Sequence, residues 1–233
     1  MTQLIAHPGT NPTLVVPVVG ATAPDVEVVW RHLSEPADFF GVPMPSRDDL
    51  GGALADRLRG FGGSDVHAVT VTLFAVAGRA TLVHVRADAV RPSRPEPVRI
   101  AVLDAPVDRP DADAPHWRRM AARTTSRGRT DHLGRRLADL GCVDAVPPTG
   151  APHLGALVFG TPTGLVGLDR LEPASILDQL EAVGLVVGVT RVEHRPADAT
   201  AAWWISPGFE THPVADIGGT PYETAAQTFL EHP

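Results

Sequence analysis

The chain has 233 residues and a net charge of −7, its mean hydropathy is +0.02, and all 20 of its Lys+Arg positions are arginine. Lysine chemistry is therefore excluded: no side chain supplies a primary amine for a Schiff base or the lysine of a P-loop. An apolar content of 43% allows a buried core in one large or two small domains, and the acidic balance argues against general nucleic-acid binding, which needs cations clustered over a broad face.

Cys142 is the single cysteine, so no intrachain disulfide is possible and a reducing compartment is expected. No stretch approaches ~20 apolar residues, and the first residues lack a basic segment followed by a long apolar run. The expectation is a cytoplasmic protein with no membrane partner.

Residues Thr13–Val19 and Val26–Trp30 read as two strands around the turn-rich segment 20–25, which predicts a hairpin. Ser46-Arg47-Asp48-Asp49 has the form of a capping box, and Leu50, Ala53, Leu54 and Leu58 then recur at helical spacing as far as Gly60. Val66–Val76 and Ala80–Arg86 alternate around Gly78-Arg79 as a second hairpin. Prolines and charges between Asp88 and Pro97 resist both helix and ladder. These features predict an N-terminal α+β domain over residues 1–90, a linker over 91–97 and a C-terminal α+β domain over 98–233.

The second domain opens with a strand over Val98–Asp104. A helix is expected over Ser126–Leu140, with Leu133, Leu137 and Leu140 on one face and Gly141 just past its end. Pro173, Ile176, Leu177, Leu180 and Val183, followed by Gly184, repeat the same grammar. Short strands are expected over Leu185–Val189, Trp203–Ser206 and Val214–Ile217. The segment Gly155–Gly164 is glycine-rich, but no lysine follows it, and it reads as strand and turn. Charge is uneven: seven arginines lie between Arg118 and Arg136 against one acid, Asp131. Such a segment is either a solvated helix face or the wall of a pocket for a small anion, since the guanidinium fork matches carboxylate and phosphate alike.

The order of elements resembles the class IV aminotransferases, the fold type IV PLP enzymes that include branched-chain aminotransferases and aminodeoxychorismate lyases. The resemblance is carried by the helix ending Leu137-Ala138-Asp139-Leu140-Gly141-Cys142-Val143-Asp144, by the start Pro173-Ala174-Ser175-Ile176-Leu177, and by Pro213-Val214-Ala215-Asp216-Ile217-Gly218 with Pro221-Tyr222. Arg31, ahead of Phe40-Gly41, falls where the family places a phosphate-binding arginine. The resemblance implies a two-domain α+β fold like that of D-amino-acid aminotransferase, a homodimer, and a shortened N-terminus, because only thirty residues precede Arg31. It places the cofactor lysine at Arg123, whose guanidinium cannot form an imine at neutral pH. It also places a glutamate within 149–156, a segment with no acid, and leaves a partial phosphate cup at Ser175 and Ser206. No cofactor is therefore expected.

The function this implies is PLP-independent: binding of a small anionic, carboxylate-bearing metabolite in an interdomain cleft, with cofactor-free elimination, isomerisation or cyclisation by arginine and histidine. The expected catalytic residues are Arg123, His116, His153 and His212. The expected substrate-binding residues are Arg31, Arg127, Arg129, Ser175, Trp204 and Ser206. Trp203 and Trp204 are strand neighbours, so at most one can stack on a ligand. A non-catalytic scaffold and a residual non-covalent PLP binder are the alternatives. Asp111, Asp113 and His116 offer metal donors, but a solvated loop accounts for them and no metal is expected. No paired cysteines, His-Glu-x-x-His or Gly-x-Ser-x-Gly motif occurs.

Overall fold

The computed structural model describes residues 10–75, 81–91, 96–103, 114–126, 128–148, 150–170 and 174–224, with Arg129 described by its backbone alone. The chain divides into two compact units, Met1–Ala89 with Pro110–Arg127, and Val90–Arg109 with Gly128–Pro233.

The first unit carries an antiparallel sheet of three strands, β1 (Thr13–Val19), β2 (Val66–Phe74) and β3 (Leu82–Ala89), in that spatial order. The expected pairing of the last two holds, from His67 opposite Ala89 to Phe74 opposite Leu82. The first strand does not pair with Val26–Trp30, however. It pairs with β2, Thr13 opposite Thr72 and Val19 opposite Val66.

Residues 26–30 instead open a helix, α1 (Val26–Phe40). Three valines there favour a strand locally, but Val29, Leu33, Pro36 and Ala37 fall on one face and are buried, a stripe that only a helix presents to a core. Asp25 caps it by accepting the Glu27 N–H at 2.8 Å. Gly41, at φ 66°, stops it in the left-handed region. The next helix, α2 (Arg47–Leu58), starts at its capping box, with Ser46 Oγ accepting from Asp49 N at 3.1 Å, and buries Leu50, Leu54 and Leu58.

A short helix, α3 (His116–Ala122), also belongs to this unit and not to the C-terminal domain expected for it. Thr13 N donates to Arg123 O and Thr125 N to Asn11 O, both at 2.9 Å, so the chain leaving the helix is bonded to the approach to β1. Backbone groups cannot be left unpaired when covered, and these bonds decide the assignment. They join residues more than a hundred positions apart, beyond any local pattern.

The second unit holds a sheet in the order β5 (Asp144–Val146), β4 (Val98–Val102), β10 (Thr211–Ile217), β9 (Ala201–Ile205), β6 (Ala156–Thr161), β7 (Gly164–Leu168) and β8 (Thr190–Arg191), with β11 (Thr220–Pro221) paired to β10. Strand β4 runs parallel to both its neighbours, whereas β6, β9 and β10 are linked antiparallel. Period-2 alternation along these strands splits the core in two. Ala101, Leu103 and Ala145 face Leu133 and Leu137 of helix α4 (Gly128–Leu140), while Ile100, Val146, Leu157, Phe159, Trp204, Val214 and Ile217 cluster together as a separate core. Leu140 was expected on the helix's apolar face but is 46% exposed. A last helix, α5 (Ile176–Ala182), begins at Ser175; Pro173 lies outside the described residues. Leu185–Val189, expected as a strand, is irregular. Gly184 turns the chain at φ 74°, and Leu185 N returns to Leu180 O, so Leu185 and Val186 bury as a helix stop.

Candidate functional site

Arg123 terminates α3 and is 7% exposed. One arm of its guanidinium donates to Glu35 Oε2 and the other to the backbone carbonyl of His32, both on α1. Arg119 Nη2 lies 3.9 Å from the other oxygen of Glu35. Burial first, and the Arg123 charge second, push the His32 imidazole down to about 3, so it is neutral at ordinary pH. The guanidinium fork is thus engaged by its own unit. Glu35 and His32 were missed by the sequence reading, since nothing local marks a surface-helix acid as the partner of a distant arginine.

The other expected residues of this unit do not join Arg123 in one constellation. Arg31 is exposed on α1, and its carbonyl accepts the Ser34 hydroxyl. His116 is exposed at the start of α3, its ring edge-on to Phe39 with centroids 5.1 Å apart. Arg127 and the side chain of Arg129 lie outside the described residues, as do Asp111 and Asp113.

In the second unit a fully buried carboxylate, Asp144, organises the polar interior. Its Oδ1 accepts from Ala145 N at 2.7 Å and Leu154 N at 3.0 Å; its Oδ2 accepts from Gly155 N at 2.7 Å and Trp204 Nε1 at 2.9 Å. Those four donors fill the four lone-pair positions of a carboxylate. Burial raises its pKa, and the N–H groups oppose that rise by favouring the charged form. Through these bonds Asp144 ties β5 to residues 154–155 and to β9. Gly155 is required beside it, because a Cβ there would overlap the Ile205 carbonyl oxygen and the Trp204 indole. The lone acid between Val143 and Ala145-Val146 in an apolar run was the available signal in the sequence.

A second carboxylate, Asp169, accepts from Ser175 Oγ at 2.9 Å and Leu177 N at 2.8 Å, and burial raises its pKa as well. Ser175 also caps α5, accepting from Asp178 N at 3.0 Å. Arg170 donates to the His153 carbonyl at 3.1 Å; burial lowers its pKa while Asp144 and Asp169 hold it up. His153 is 3% exposed. Ser206 closes the turn between β9 and β10, accepting from Gly208 N at 3.2 Å and Glu210 N at 3.0 Å. In that turn Phe209 is buried at φ 67°, a left-handed conformation costly for a bulky side chain. His212 sits 5.7 Å from the Trp204 ring, with Nδ1 3.4 Å from the Glu96 carbonyl. Both tryptophans of the strand are buried, Trp203 at 8% and Trp204 at 7% exposure.

The same unit has a hollow of about 220 Å³. Leu157, Phe159, Leu168 and Ile217, all core residues, line it, and Val102 and Arg195 stand at its exposed margin. Among the described residues no group of three or more His, Cys, Asp or Glu could hold a metal ion, and no helix is long and apolar enough to cross a membrane.

The chain matches no family profile and no curated protein. Solved structures do resemble it. A hypothetical aminotransferase from Mycobacterium tuberculosis aligns with a TM-score of 0.64 at 19% identity, over 94% of this chain and 85% of that one. The fold IV transaminase from Curtobacterium pusillum aligns at 0.63 and 16% identity, over 95% and 82% of the two chains. The branched-chain amino acid aminotransferase from Escherichia coli aligns at 0.63 and 14% identity, over 96% and 83%. Across these alignments the chain has the mixed α+β fold of the class IV aminotransferases, over 94–96% of its length.

Proposed function

We propose that this chain uses the class IV aminotransferase fold as a cofactor-independent binding protein for a small anionic metabolite, and that the imine chemistry of PLP has been lost from it. The observation that carries this reading is Arg123: in a chain with no lysine, the residue that the family resemblance sets at the cofactor-lysine position is a buried guanidinium already held by Glu35 and the His32 carbonyl. Arginine forms no imine at neutral pH, and both Nη atoms of this fork are already engaged within its own unit.

The other groups a PLP site needs do not fit either. Ser175 is committed to Asp169 and to the cap of α5, and the segment 149–156, where the resemblance places the glutamate, holds no acid. A PLP-bound form is known for the Mycobacterium tuberculosis protein. Ser175 and the two Nη atoms of Arg123 are thus committed within the fold. This favours binding over the cofactor-free elimination, isomerisation or cyclisation expected from the sequence. The hollow of about 220 Å³ with an exposed arginine at its margin supports a small anion as the ligand.

Two measurements test this. Equilibrium dialysis against PLP should leave none retained, with no transamination of an amino acid and 2-oxo acid mixture. Native mass spectrometry against a metabolite extract should retain a small acid. Stoichiometric retention of PLP accompanied by turnover would overturn the reading, as would retention of no metabolite.

A further inference from the structure

The hollow in the second unit joins two environments that rarely meet without a purpose. Its inner wall is Leu157, Phe159, Leu168 and Ile217, each no more than 2% exposed, so these side chains belong to the packed interior. Interiors are packed to crystal-like density, and side chains facing a void lose their dispersion partners. At about 220 Å³ this void is several times a water's share of liquid volume, ~30 Å³, and an apolar wall gives water few partners.

Among the described residues that line this space, the one charged side chain is Arg195. Arg195 is exposed, and its charge acts on the phenol of Tyr222, whose ring lies 6.0 Å from that of Phe159. A guanidinium carries five N–H donors. Set in a planar fork, they match a planar, bidentate acceptor. Val102, 38% exposed, and Gly150 also line the hollow.

We propose that this hollow is a binding site for a small carboxylic acid with a compact apolar body, a short aromatic or branched aliphatic chain, held with its carboxylate on Arg195 and its body against Leu157, Phe159, Leu168 and Ile217. Its volume lies below the ~300–1,000 Å³ of sites for drug-sized ligands, which excludes nucleotides and dinucleotides as fully enclosed occupants. None of the residues expected from the sequence to bind substrate lines this space, so the site is a new assignment. It deepens the reading of the chain as a binder of small anions and rests on that reading for the charge of its ligand, but not on the loss of imine chemistry.

The test is calorimetric titration of the full chain with phenylacetate and with phenylacetamide, its neutral analogue of like shape. Wild type should bind phenylacetate saturably and the amide at least ~10-fold more weakly, a discrimination typical of a lost charge-assisted hydrogen bond. Arg195→Gln, at an exposed position, should weaken phenylacetate by a similar factor and leave the thermal midpoint unchanged. Val102→Phe should weaken both compounds by filling the margin. Absence of saturable phenylacetate binding by wild type, or unchanged affinity in either variant, overturns the site. If wild type and Arg195→Gln retain the same acid from a metabolite extract, this site fails while the broader binding reading stands; if wild type retains no acid, both fail.

Discussion

The indole N–H of Trp204 donates to Asp144 Oδ2 at 2.9 Å, and that one bond ties β9 to the start of β5, sixty residues away in the chain. The carboxylate is fully buried and four N–H groups converge on it, so its removal leaves donors without acceptors in a dry interior. Asp144→Asn replaces an acceptor oxygen by an NH₂ that faces those donors. We expect it to lower stability by about 3 kcal/mol, read as a drop in the urea midpoint. Trp204→Phe removes one donor only and should cost about 1–2 kcal/mol, so the reverse ranking would contradict a node centred on the carboxylate.

Gly155 supplies the space in which this node forms. An added methyl overlaps a backbone oxygen, which cannot swing aside like the tip of a flexible side chain. Gly155→Ala should destabilise by about 2 kcal/mol or more through overpacking and should shift tryptophan emission. Gly52, exposed in α2 with nothing near its missing side chain, is the control: Gly52→Ala should stabilise by about 0.5–1 kcal/mol.

His32 makes stability depend on pH in a defined sense. Its folded pKa, about 3, lies below the ordinary 6.5, because burial and the Arg123 charge both disfavour the imidazolium. Between those values the unfolded chain binds a proton that the folded chain does not, so stability falls as pH falls through this window. The contribution approaches the slope of one proton, ~1.4 kcal/mol per pH unit. Urea midpoints of wild type and His32→Leu at pH 7.5 and 5.0 should diverge, with the wild type losing more on acidification. Parallel losses in the two would remove His32 from the explanation.

Arg123 and Glu35 should behave as a structural pair. Arg123→Ala leaves the His32 carbonyl without its donor and empties a buried position, and should cost about 3 kcal/mol, whereas Glu35, 46% exposed at its side chain, should cost less when changed to Ala. Arg123→Lys is the sharper experiment. It returns a primary amine to the position the resemblance gives to the cofactor lysine, yet that amine faces Glu35 and stays protonated. Borohydride reduction after incubation with PLP should leave no pyridoxyl group at residue 123. An adduct there would mean that the cofactor cradle has survived.

Several elements were legible because their signals are local. The capping box at Ser46–Asp49 preceded a helix with leucines every fourth residue, and both appear as expected. The alternating segments around residues 66–89 pair as a hairpin, and the helices before Gly141 and Gly184 stop at those glycines, which take φ 65° and 74°. At residues 26–30 the local signal misled, since β-branched residues favour strands while their spacing to Leu33 and Ala37 favours a helix. Burial of that stripe decided the outcome.

By itself the amino-acid sequence determined what chemistry is impossible here: without a lysine, no side chain can capture an aldehyde, whatever the fold. It also determined most helices and strands, because capping, periodicity and glycine turns act within a few residues. The tertiary structure alone decided the fate of each polar side chain. Arg123 meets Glu35, Asp144 meets Trp204, and α3 joins the N-terminal unit through partners remote in the chain. A buried charge or N–H must find a partner wherever the folded chain brings one, and that requirement leaves no pattern in neighbouring residues.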